Sequence, residues 1–71
     1  MNKKDAILHA AVDIMGEKGF DKTSVSEIVK HAGVAQGTFY LYFQSKSALV
    51  LSIAKNIIED FLLEAQALPG P

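Results

Sequence analysis

TSVSEIVKHAGVAQGTFYLYFQSKSAL, Thr23 to Leu49, contains two short helices and the corner between them. Ser24 and Glu27 stand at capping-box spacing, so a helix is predicted to start there, with each side chain placed to satisfy the other's backbone N–H. Val25, Ile28, Val29 and Ala32 then line one face, and Gly33 ends the segment after about two turns, too short to persist without tertiary packing. A further short helix runs from about Gln36 to Phe43. Between the two, Ala-Gly-Val at 32–34 has the outline of a helix-turn-helix, in which glycine relieves the tight turn and the following apolar residue locks the angle. Gln44–Ser47 breaks the third helix, and Ser45 is the expected N-cap of a fourth.

Upstream, Ile7, Ala11 and Ile14, with Leu8, Val12 and Met15 beside them, recur at three-to-four spacing and predict a helix over 3–18. Gly19 supplies a left-handed stop, and Phe20 is expected to fold back onto the core. Downstream, Leu49, Ile53, Ile57 and Phe61, flanked by Val50, Ala54, Ile58 and Leu62, predict a long last helix that "LPGP" at 68–71 terminates. No period-two run, internal repeat or low-complexity tract occurs. The predicted fold is all-α: a three-helix, homeodomain-like helix-turn-helix unit over 1–47, then a long fourth helix over 48–71.

The chain has 71 residues, enough for one domain, and its 49% hydrophobic and 21% charged composition is that of a globular protein. It has no cysteine, which excludes disulfides and thiolate metal sites and suits a reducing cytosol. Two lysines precede an apolar stretch at the start, the outline of a signal peptide. Asp5, His9 and Asp13 interrupt it, and no apolar run approaches the length of a membrane span. Residues 1–21 hold three lysines against four acids, residues 22–46 three lysines against Glu27, and residues 47–71 Lys55 against three acids. The basic middle third is compatible with phosphate contact on one face. There is no arginine, the commonest bidentate reader of guanine. His9 reads as a surface pair with Asp13, and His31 as a favourable partial cation at a helix C-terminus. Neither has a second ligand at metal spacing, and no base is placed near Ser45 or Ser47, so neither an enzyme nor a cofactor is expected.

The third helix has an unusual face. On a wheel of about 100° per residue, Phe39 and Phe43 share the buried side. Opposite them lie Gly37, Thr38 and Leu41; Tyr40 and Tyr42 take the flanks, and Gln36 sits at the helix start. A solvent face would ordinarily carry Glu, Lys and Arg, and glycine there costs about 1 kcal/mol relative to alanine. Gly37 therefore either admits close approach of another molecule or relieves a clash with the second helix. Thr38 and the two phenols can donate to phosphate oxygens. Gln36 can offer its amide to adenine, Leu41 can touch a thymine methyl, and Lys46 adds a cation at the start of the fourth helix.

At these residues the sequence resembles the TetR family of transcriptional regulators, whose run from a Thr or Ser before helix two, through "AGV", to a "GTxYxYF"-like segment and a lysine opening helix four is matched in order. The likeness extends from about Ile7 to Leu49. It implies a repressor-type, cytoplasmic DNA-binding module whose third helix enters the major groove of a palindromic operator. Carried over by position, the implied contacts are Ser24 and Ser26, then Gln36, Gly37, Thr38, Tyr40 and Tyr42, and Lys46. Two departures stand out: Ala35 replaces a common capping serine, and "SKSAL" lacks the acids of the more usual "SKEEL". Family members also have a carboxy-terminal domain that binds a small effector and forms the homodimer, and it is absent here. Ile57, Ile58, Phe61, Leu62 and Leu63 spread too widely for three short helices to cover. Either this chain is the DNA-binding segment of a longer protein or it dimerises through its last helix. The alternative function is a helical protein-interaction module working through that apolar helix.

Overall fold

The computed structural model describes residues 1–67. Four α-helices follow one another, α1 Lys3–Lys18, α2 Val25–Ala32, α3 Gln36–Tyr42 and α4 Lys46–Ala67, with no strand among the described residues. The expected stop at 68–71 lies outside them. α1, α2 and α3 pack on one another, and the first turns of α4 close the cluster through Leu49, with Val50 and Ile53 partly covered. The remainder of α4 draws the molecule out to 49 Å against 24 and 19 Å in the other directions.

The core comprises Ile7, Ala10, Ala11 and Ile14 of α1, Ile28 and Val29 of α2, Phe39 and Phe43, and Leu49. Val12 does not belong to it and is 53% exposed. Five residues after Ile7, it points about 140° away from it, a direction that three short helices leave uncovered.

Helix ends follow local chemistry. Asn2 Oδ1 accepts from Asp5 N at 2.8 Å, which caps α1. Ser24 Oγ accepts from Glu27 N at 3.1 Å, and Ser45 Oγ from Ala48 N at 3.1 Å, so both serines start helices as expected. α3 receives no side-chain cap, since Ala35 has none to give. α2 ends in a Schellman arrangement: Gly33 is left-handed (φ 75°, ψ 31°), its N–H reaches Lys30 O, and Val34 N donates to Val29 O at 3.0 Å. That glycine sets the α2–α3 corner, and Val34 packs against the core behind it.

Three local expectations need correction. Gly19 has positive φ (85°) but ψ of 166°, an extended turn rather than a left-handed cap. Phe20 stays 38% exposed beneath the Lys46 ammonium instead of joining the core. Asp13 lies 3.5 Å from His31 Nε2 of α2, across the helix pair, where a pair with His9 on its own helix was expected.

The Glu27 carboxylate accepts from the Ser24 hydroxyl at 3.3 Å and binds the Lys18 ammonium of α1. The Lys18 bond, helped by the Ser24 contacts and opposed by burial, holds its pKa below the ordinary carboxylate value. A depressed folded pKa gives stability that is present above the unfolded value and lost as pH falls through the folded one. Glu27→Gln is therefore expected to be less stable than the parent at neutral pH. The two should converge in urea melts as the pH is carried down through the depressed value and the parent carboxylate takes up its proton.

Candidate nucleic-acid interface

α3 is held by its aromatic side. Phe39 is wholly buried and Phe43, which ends the helix, is 5% exposed, their ring centroids 5.7 Å apart. With that side committed to the core, helical geometry turns Gly37 and Leu41 to solvent; Leu41 is 80% exposed and Thr38 is half-buried.

Tyr40 and Tyr42 flank this face, 52% and 44% exposed. The Tyr40 ring stands edge-on to Phe39 (5.2 Å, 78°), and Tyr42 lies 6.5 Å from Phe43. Each phenol leans on a buried ring, which restricts its swing while leaving its edge in solvent. Neither hydroxyl takes part in a side-chain hydrogen bond among the described residues. Gln36, the first residue of α3, is exposed as well.

Gly37 decides between two explanations for an exposed glycine. A Cβ built there would meet no atom within 4 Å. Its φ is not positive either, since among the described residues only Gly19 and Gly33 have that conformation. Neither a clash with α2 nor backbone strain calls for glycine at this position.

At the start of α2, Ser26 is exposed, whereas the Ser24 hydroxyl is engaged in capping. The Lys46 ammonium, expected from sequence to be a cation placed for the duplex backbone, has partners within the protein. It turns inward and donates to Phe20 O at 2.6 Å and Thr23 O at 2.8 Å. Sequence reading assigned no role to Thr23, which is 1% exposed and donates its hydroxyl to Gly19 O at 2.7 Å. No local pattern announces these links, because the lysine and its acceptors are far apart along the chain.

α3 carries no charged residue, so the face it presents consists of a hydroxyl, two phenols, an amide and a leucine around a bare backbone. Such a surface suits hydrogen bonding to phosphates and base edges. A shallow cleft between α1 and α2, lined by Ile14, Glu17, Lys18, Glu27, Lys30 and His31, lies apart from it. The Lys18–Glu27 pair occupies part of that cleft, which reads as a solvated seam.

The chain matches the bacterial regulatory proteins of the tetR family over residues 7–53. It is 59% identical over 60 residues to YvdT, an uncharacterised HTH-type transcriptional regulator of Bacillus subtilis, covering 84% of this chain and 31% of that protein. It is 43% identical over 56 residues to the fatty acid metabolism regulator protein of the same species, covering 79% of this chain and 29% of the relative. The solved structure of the fatty acid degradation regulator FadR from Bacillus halodurans superposes with a TM-score of 0.85 at 37% identity, over 94% of this chain and 35% of that one. The chain thus spans about a third of the length of these relatives. They are transcriptional regulators, not enzymes, and a helical interaction module is not favoured beside them. The matched run and the four-helix geometry agree: the chain belongs to the TetR family of bacterial transcriptional regulators and corresponds to its DNA-binding domain.

Proposed function

We propose that this domain reads a palindromic operator, with α3 lying in the major groove and the start of α2 on the adjoining backbone. The observation that carries this reading is the division of α3. Phe39 and Phe43 are sealed inside, while Gly37, Leu41 and the edges of Tyr40 and Tyr42 stand in solvent with no internal task. In this arrangement Tyr40, Tyr42, Thr38 and Ser26 donate to phosphates, with the Ser24 end of α2 beside them. Gln36 and Leu41 meet base edges, and Gly37 lets the helix backbone approach closely. Lys46, its ammonium already engaged, stands apart from that set.

Two copies in a homodimer would set their α3 helices about 34–36 Å apart, or a multiple of that, to match one turn of duplex. The exposed Ile57, Ile58, Phe61, Leu62 and Leu63 of α4 offer apolar surface for the rest of the intact protein, which would pair the copies. A small effector bound there would alter the spacing and release the operator, making the protein a cytoplasmic, ligand-released repressor.

The test is Tyr40→Phe with Tyr42→Phe in the intact protein, which removes two hydroxyls and leaves both rings. Operator affinity by fluorescence anisotropy should fall about 30- to 1000-fold, at roughly 0.5–1 kcal/mol for each of the four hydrogen bonds lost across two half-sites. The melting temperature should barely move. Unchanged affinity would end this reading.

A further inference from the structure

Lys46 opens α4, where the positive end of the helix dipole disfavours a cation. What offsets that is the turn between α1 and α2. The ammonium donates to Phe20 O at 2.6 Å and Thr23 O at 2.8 Å, and stands 4.2 Å from the centroid of the Phe20 ring. These acceptors lie 26 and 23 residues earlier in the chain. The turn is itself knotted: Thr23 N donates to Phe20 O at 3.2 Å and the Thr23 hydroxyl to Gly19 O at 2.7 Å. Thr23 directly precedes Ser24, the N-cap of α2.

We infer that Lys46 is a positioning residue for DNA reading: it fastens the first turn of α4 to the α1–α2 turn, and so fixes the start of α2 relative to α3, instead of binding phosphate. Two of its three N–H donors are spent on carbonyls, and its charge rests against an aromatic face. A lysine serving phosphate would extend outward and leave both carbonyls to water. The inference rests on the reading above that α2 and α3 meet one duplex together.

Lys46→Met and Lys46→Arg in the intact protein test it, with operator affinity followed against salt and amide hydrogen exchange followed across 20–24. Lys46→Met should weaken binding about tenfold, as expected for losing hydrogen bonds to a charged group. The slope of log K against log salt should not change, and exchange at 20–24 should quicken. Lys46→Arg, which can still donate to both carbonyls, should recover most of the affinity. A slope shallower by roughly 0.9 for each lysine removed, with exchange unaltered, would make Lys46 a phosphate ligand and overturn the inference. Faster exchange with full affinity would overturn it too, leaving a local structural link only. If Lys46→Met fails to fold, Lys46→Gln, too short to bridge both carbonyls, carries the same comparison. Failure of the underlying DNA reading shows separately, as a parent protein without operator preference.

Discussion

Phe39→Ala is expected to lower the stability of this domain by about 3–5 kcal/mol, the usual range for emptying a buried aromatic site. Phe39 is the largest of the fully buried side chains and touches none of the surface. The contacts it makes are also the ones that hold α3, a helix of 7 residues with no side-chain cap at its start. At about 0.05–0.15 kcal/mol per residue, a domain of this size has roughly 4–10 kcal/mol in total, so the substitution removes much of it. Helical circular dichroism should show a melting temperature lowered by about 15 °C or more, or no cooperative transition. A shift of only a few degrees would mean that the ring is not the anchor of α3. Operator binding should fall with the fold, since the face proposed to read DNA exists only while the opposite face is held.

Gly37→Ala is expected to move stability and binding in opposite directions. The added methyl has free space on the protein side, and alanine favours the helix by as much as about 1 kcal/mol, so the melting temperature should rise. Against a duplex packed closely on the backbone, the same methyl acts as overpacking at about 1–3 kcal/mol, or roughly 5- to 150-fold in affinity. Paired melts and anisotropy titrations on one preparation settle the matter. Equal affinity in a more stable protein would show that no molecule comes close to residue 37. A less stable protein would contradict the open space around it.

The ordering of helices was legible because it depends on near neighbours. Ser24, Gly33 and Ser45 act within a few residues of themselves, and the bounds of α1 and α2 fall where the capping and apolar spacing predict. The division of α3 was equally readable, since a helix fixes the angle between Phe39 and Gly37 and large rings choose the dry side. What failed was inference about contacts between separate elements. The sequence placed Asp13 with His9, but the packing of α1 on α2 brings His31 instead. It sent Phe20 to the core and gave no sign of its contact with Lys46, whereas α4 crosses the α1–α2 turn and joins the two.

By itself, then, the sequence determined the all-α class, the bounds of α1 and α2 and the side of α3 that is buried, because backbone geometry and local hydrogen bonds act over three to five residues. Only the tertiary structure decided which charges meet, that nothing inside the protein needs Gly37 to be glycine, and that Lys46 grips two carbonyls over 20 residues away. Those outcomes depend on how separate helices cross, and crossing is set by the packed core as a whole.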